Sequence, residues 1–493
     1  MAHSEKHVLI VGGGLAGLSA AMEAALAGAN VTLLDGEANV GGNSAKASSG
    51  INGCQTKVQQ RLGIKDGHDR FFSDTVAAGD SMNDAQLVDI LVHDSRAAVE
   101  WLTEQGVNLD DVNLCGGHSV PRTHWIPSPK EGKPIPVGVS IIRALKSQLD
   151  SLAEGAAKAG GKQTIVISPN SRVTELLLDD VQSAQKRVIG VRAALPAYPG
   201  QHTELRADSV VLATGGFSND HALDSLLAEF APDKQQFPTT NGKFATGSGV
   251  KMARNIGAKL IDMEYVQIHP TGFIDPKAPA DGTKFLAAEA LRGKGAILLN
   301  HEGRRFANEL GRRDYLSDRI EKHCAENAEA GRKTAWMLMN EQAIGDFGWP
   351  AFTFYWKAKG FFTKLDTVQD VVSHAGFERD TFLSTLADYN GAAAGTVDDP
   401  LGKTVFPVRF EPPDRGPYYM ARVTPSIHYT MGGVAIDSKT RVLSATGGDV
   451  IEGLFAAGEV TGGVHGANRL AGNSLLECTV FGRIAGRNAA VGV

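Results

Sequence analysis

The sequence predicts an α/β fold: a doubly wound sheet that carries a small antiparallel insertion and is interrupted by an α+β capping domain. Three observations lead there. A short β-branched run, HVLIV at 7–11, passes at once into Gly12-Gly13-Gly14-Leu15-Ala16-Gly17 and an Ala/Leu-rich helical segment ending near Gly28. Glycine edges after apolar runs recur at Thr214-Gly215-Gly216 and, near the other end of the chain, in GEVTGG at 458–463. Between them the composition changes at about Glu264, where a long segment with helical patterning and the aromatics Phe352, Phe354, Tyr355 and Trp356 begins. A sheet built from both chain ends accounts for this, with residues 1–263 as its first part, 264–430 as the cap and 431–493 as its second part.

Composition narrows the function. At 493 residues the chain is long for one core, and 42% hydrophobic with 21% charged residues is ordinary for a soluble globular protein. No apolar run reaches the ~18 residues that a membrane helix needs, and MAHSEKHVLIV carries no secretory signal. The expectation is a soluble protein of the cytoplasm or an organelle lumen, with no membrane span. A formal net charge of −6 argues against nucleic acid as the main partner. Cys54, Cys115, Cys324 and Cys478 contain no C-x-x-C, so no metal is expected and any redox centre is organic.

In chain order, the first glycine turn has strand before it and helix after it, and the next strand, VTLLD, ends on Asp35, 21 residues after Gly14. That is the distance at which an acidic side chain meets the ribose of a dinucleotide. The small-residue string GGNSAKASSGING at 41–53 is a longer cradle than a nicotinamide enzyme needs, which favours FAD over NAD. Residues 84–106 read as one helix around Trp101, and GGHSVPRTHW at 116–125 as a polar loop placing His118, Arg122 and His124 at a pocket edge. A helix follows over 140–160, then strand-like runs at 163–167, 172–178, 187–194 and 209–213, the middle ones forming a small antiparallel meander about a polar turn at 179–186. After the cap the chain returns to strand and glycine patterns and closes with a helix from about Ser474 to Ala490.

The stretch from Leu291 to Asp314 gathers six arginines and lysines around AILLN, a run that does not alternate and so reads as a buried strand. Basic groups bracketing it, with Glu289 just ahead, are candidates for an anion site. On the residues alone, Glu289, Arg292 and Arg313 read first as a salt-bridge network supporting the cap, ahead of catalysis.

Taken together, GGGLAG, GGNSAKASSGING, ATGGF, HPTGF, AAEALRGKGAILLN, GRRFANE followed by RRD, HYTMGGV and AAGEVTGGVHGANRLAGNSLLE resemble the flavoprotein family of fumarate reductases and succinate dehydrogenases, most closely the soluble single-subunit fumarate reductases. The resemblance runs in order over nearly the full length. It implies a Rossmann-like FAD-binding domain, and cofactor contacts from Gly12, Gly14, Ala16, Gly17, Asp35, Gly42, Asn43, Ser44, Ser49, Gly50, Ile51, Asn52, Thr214, Gly215, Gly247, Glu459, Ser474 and Leu475. Ser44 stands where membrane-bound relatives carry a flavin-linking histidine, so the FAD is expected to be noncovalent; Asp35 replaces the usual glutamate.

For substrate, the resemblance implies a small dicarboxylate, fumarate or succinate. Arg469 and His428 would take one carboxylate, and His269 with backbone near Glu289 the other. A hydride from flavin N5 would reach one alkene carbon and a proton from Arg313 the other, with Glu289 and Arg292 as proton relay. The developing carbanion is basic enough for so weak an acid as a guanidinium, if the relay refills it. Ala288 stands where many relatives have a substrate-contacting threonine. The electron donor is expected to be reduced flavin or an NADH-linked domain or protein. The alternative is another FAD-dependent oxidoreductase of an unsaturated acid or dicarboxylate, such as a urocanate- or methacrylate-type reductase, an L-aspartate oxidase or a ketosteroid dehydrogenase. Arg304, Arg305 and Arg312 keep a structural reading.

Overall fold

The structure is a computed structural model that describes residues 6–48, 50–127, 129, 136–158, 160, 162–179 and 186–492. The chain opens with β1 (His7–Val11), α1 (Leu15–Leu26) and β2 (Asn30–Leu34). These strands are short and apolar because they lie in the interior of a parallel sheet covered on both faces. After α2 (Val137–Lys158) comes β3 (Ile165–Ser168), which pairs parallel to β2. The meander follows as β4 (Arg172–Leu178), β5 (Val188–Ala194) and β6 (His202–Arg206), and β7 (Ser209–Leu212) then returns beside β1.

A second sheet with its helices follows between Val266 and Thr430: β8 (Val266–Phe273), α3 (Glu289–Gly293), β9 (Ile297–Leu299), α4 (Arg313–His323), β10 (Ala335–Asn340) and β11 (Arg415–Thr430). This antiparallel sheet runs Phe285–Leu286, β8, β11, β10, β9, and its core is a separate cluster that includes Phe273, Leu298, Leu338, Phe352 and Tyr418. The first sheet is completed by β12 (Arg441–Leu443) and β13 (Val450–Ala456), giving the order β12, β13, β7, β1, β2, β3, parallel except at β12. The last helix, α5 (Asn473–Val491), lies along α1. A Cβ at Gly482 would fall 2.6 Å from Ala16 O, and one at Gly486 2.2 Å from Ala20 O, so these glycines permit the backbones to meet.

Three expectations need correction. Residues 84–106 form two helices, Ala85–His93 and Ser95–Glu104, because the Ser95 hydroxyl turns back to Val92 O and also accepts from Cys54 N. The third meander strand is His202–Arg206, whose polar HTELR gave no strand signal, while the run near 165 joins the parallel sheet instead. The stretch 116–125 is not wholly a polar loop: Thr123–Trp125 is a strand, and Arg122 and His124 are fully buried. Arg122 is held there by Asp66 and Asp74, and His124 bonds to Thr56 Oγ1 at 2.8 Å. Part of the 179–186 turn lies outside the described residues.

Candidate active site

A cavity of about 450 Å³ opens at the C-terminal ends of β1, β2 and β7, where an open parallel sheet places its ligands. Gly12, Gly14, Ala16, Asp35, Gly42, Asn43, Ser44, Thr214, Gly215 and Glu459 line it. Asp35 does two things at once: its Oδ2 accepts from Gly13 N and its Oδ1 from Glu37 N, both at 2.8 Å, so the acid also pins the glycine turn. At Gly14 a Cβ would meet nothing closer than Ser44 Oγ at 3.8 Å, and at Gly215 nothing at all, which leaves the backbone open to a ligand. Thr214 Oγ1 is buried without a hydrogen-bond partner at this wall. An extended diphosphate ligand on the N-terminus of α1, as in FAD, fits this cradle.

A smaller space of about 90 Å³ shares Asn43, Ser44, Glu459 and Cys478 with the first and continues to Gly50, Arg313, His428, Arg469, Ser474 and Leu475. Not every expected residue reaches these walls. Gly17 closes the first turn, where a Cβ would lie 1.9 Å from Gly12 O, and Gly247 (φ +66°) is packed against Leu226 behind the wall. Ile51 and Asn52 are buried beneath the wall; Asn52 Nδ2 donates to Ala471 O and to Asn473 Oδ1, each at 2.7 Å, and so fixes the start of α5. Ser49 lies outside the described residues.

The candidate catalytic residues converge. Arg313 Nε and Nη2 both donate to Glu289 Oε2, at 3.1 and 2.9 Å, while Glu289 Oε1 accepts from Gly116 N at 2.7 Å. Arg292 stands behind them, its Nη2 4.0 Å from Glu289 Oε2. Burial alone would raise the Glu289 carboxyl, but Arg313, Arg292 and the Gly116 amide outweigh it and bring it to about 2. Arg469 is lowered to about 10 by burial and by the neighbouring Arg313.

The two histidines owe their places to irregular pairing of β8 with β11. The register steps from Gln267↔Tyr429 to Ile268↔Ile427, so His428 is the extra residue of a bulge, and a second shift follows His269. Bulges re-aim side chains in this way beside active sites. The rings lie 5.1 Å apart between centroids. His269 Nδ1 accepts from Thr271 N at 3.2 Å, which leaves its Nε2 as the donor, and that atom is buried without a partner. Burial, with Arg313 close by, holds both imidazoles well below their ordinary range, so they are neutral donors rather than cations.

Two participants carry little signal in the sequence. Gln267 Oε1 accepts from both Arg313 and Arg469, and the Tyr429 ring lies under the Arg469 guanidinium at 4.4 Å. Gln267 could have been found from its position two residues before His269 on one strand, the spacing that sends side chains to one face. Tyr429 follows His428 directly and has no separate signal.

Known proteins resemble this chain over nearly its whole length. The family described as FAD binding domain matches residues 7–475. The chain is 40% identical to a fumarate reductase of Schizosaccharomyces pombe over 98% of this chain and 88% of that protein. It is 39% identical to fumarate reductase 1 of Saccharomyces cerevisiae over 98% of each. Among solved structures, the open conformation of a flavocytochrome c3 fumarate reductase is similar at a TM-score of 0.75 and 36% identity, covering 99% of this chain and 79% of that one. With its FAD-shaped cradle and this full-length similarity, the chain belongs to the FAD-binding flavoprotein family that includes these fumarate reductases.

Proposed function

We propose that this chain reduces fumarate to succinate in an FAD-dependent reaction. The observation that carries the reading is the wall of the smaller space: Arg313, backed by Glu289, shares it with the anion-binding types Arg469 and His428, directly beside the cofactor cavity. Three C–C bonds of ~1.5 Å put the carboxyl carbons of a four-carbon diacid ~4 Å apart, which suits donors as closely set as His269, His428 and Arg469. When bound, FAD supplies the hydride. Arg469, with His428, holds one carboxylate, and His269 Nε2–H with backbone near Glu289 holds the other. As negative charge grows on the substrate, these preorganised donors lower the barrier in a site without bulk water. Arg313 gives its proton to the second alkene carbon: one N–H breaks and one C–H forms. Arg292 passes a proton to the ionised Glu289 carboxylate, Glu289 hands that proton on to Arg313, and solvent refills Arg292.

The positive end of α5, at the wall formed by Ser474 and Leu475, favours negative charge beside it. Ser44 at the cavity wall supports noncovalent FAD. The electron donor in this reading is reduced flavin or an NADH-linked protein. A relative 34% identical over 98% of this chain, which spans 47% of that protein, is named NADH:fumarate oxidoreductase in Klebsiella pneumoniae. Among the described residues no helix is long and apolar enough to cross a membrane, and the reading places the chain in an aqueous compartment. The test is anaerobic reoxidation of the dithionite-reduced protein: rapid reaction with fumarate, and slow reaction with crotonate and urocanate, is expected. Equal rates with a mono-acid would remove the dicarboxylate assignment.

A further inference from the structure

Arg305, which the sequence leaves with a structural reading only, lies in a closed buried cluster. Glu309 Oε1 accepts from Arg305 Nε at 2.8 Å, and Oε2 from Arg305 Nη2 at 3.0 Å and Lys403 Nζ at 2.9 Å. Asp399 completes the quartet, accepting from Arg305 Nη1 at 2.7 Å and Lys403 N at 2.9 Å. None of the four side chains is more than 6% exposed. Balanced buried ions stabilise a fold no better than apolar residues of the same volume, so their use is sought in the geometry that they fix. That geometry is the backbone of Glu309. Its carbonyl accepts from Arg292 Nη1 at 2.6 Å, while Arg292 Nε and Nη2 are buried without partners.

We propose that Glu309, gripped by Arg305 and Lys403, is a positioning residue of the proton relay; the inference rests on the reading of Arg313 as proton donor. The Glu309 carbonyl seats Arg292 with its Nη2 4.0 Å from Glu289 Oε2, too far for a hydrogen bond. Glu289 Oε2 therefore stays with Arg313, and Arg292 needs to advance only ~1 Å to reach hydrogen-bonding distance. Loosening the Glu309 anchor lets Arg292 collapse onto Glu289 and compete with Arg313 for the one oxygen that both approach. The same anchor also stands four residues ahead of Arg313, the first residue of α4.

The experiment uses the FAD-loaded full chain carrying Glu309→Gln or Lys403→Met, reduced anaerobically and mixed with fumarate or with ferricyanide, which accepts electrons without needing a proton at carbon. Reoxidation by fumarate is expected to fall about tenfold or more, with a larger solvent deuterium isotope effect. Reoxidation by ferricyanide and the KM for fumarate should stay as in wild type. Equal slowing with both oxidants, or wild-type rates with fumarate, overturns the inference. If neither variant retains FAD, Asp399→Asn at the cluster's edge takes their place: slowing with fumarate alone supports the inference, and equal slowing or none overturns it. A wild-type protein that fumarate does not reoxidise overturns the fumarate reading and this inference together; a reactive wild type with unaltered variants overturns this inference alone.

Discussion

Arg313 and Arg469 donate to one atom: Gln267 Oε1 accepts from Arg313 Nη1 at 2.9 Å and from Arg469 Nη2 at 3.1 Å. Two buried cations are thus held side by side by a neutral amide, which aligns them without cancelling their charge. Such a pair is poised for an anion, and the amide keeps the proposed proton donor and the proposed carboxylate anchor in fixed relation.

Gln267→Leu should separate those two functions. It leaves both guanidinium groups short of an acceptor in a buried site, at a cost of ~1–3 kcal/mol. A lower melting temperature is expected, together with a KM for fumarate raised about tenfold, equivalent to ~1.4 kcal/mol. An unchanged KM in steady-state kinetics would show that the shared acceptor is not needed to place Arg469.

Arg313→Ala tests the proton donor. A positioned acid contributes about 10²–10⁴-fold, so reoxidation of the reduced protein by fumarate should slow by at least ~100-fold while the bound-flavin absorbance persists. Near wild-type reoxidation in stopped flow would return Arg313, Glu289 and Arg292 to a supporting salt-bridge network. Because the variant leaves Glu289 buried without its main partner, a destabilisation of ~3–5 kcal/mol is expected alongside.

Acid should weaken the fold through the two histidines. Their folded pKa values are lowered by burial and by Arg313 beneath the ordinary 6.5. Below that pH the unfolded chain binds protons that the folded site refuses, so their contribution is complete above 6.5 and declines as pH falls. Glu289, at about 2 in the fold, adds a further loss from ~4.3 downward. Glu459 acts in the other direction: burial raises it to about 7, so between 7 and ~4.3 the folded state takes up the extra proton. Melting temperature against pH should therefore have a shallower slope between pH 7 and 5 in His269→Gln than in wild type; parallel curves would count against a buried neutral His269.

Gly486→Val should open the contact between α1 and α5. A Cβ there has Ala20 O at 2.2 Å, and overpacking of this kind costs ~1–3 kcal/mol or more. Since the start of α1 cradles the larger cavity, the ratio of FAD to protein after gel filtration should drop together with the melting temperature. Full FAD retention would mean that the cradle is set by the glycine turn alone.

The sequence by itself determined the elements whose signals are local. The strand, glycine turn, helix and Asp35 of the first unit need only chain-neighbour geometry, and they form the cavity wall where expected. AILLN, continuous and apolar, became the buried β9. Tertiary structure decided whatever depends on a partner distant in sequence. Arg305 and Arg122 have the composition of surface residues, yet they are buried: Asp399, 94 residues on, closes over the local Arg305–Glu309 pair, and Asp66 and Asp74 meet Arg122 from 56 and 48 residues away. The aim of His428 comes from a register shift against β8, a mismatch between two strands more than a hundred residues apart. Gln267 had one polar side chain among many in the sequence; only the folding of α4 and the 469 loop onto β8 made its oxygen the common acceptor of two arginines.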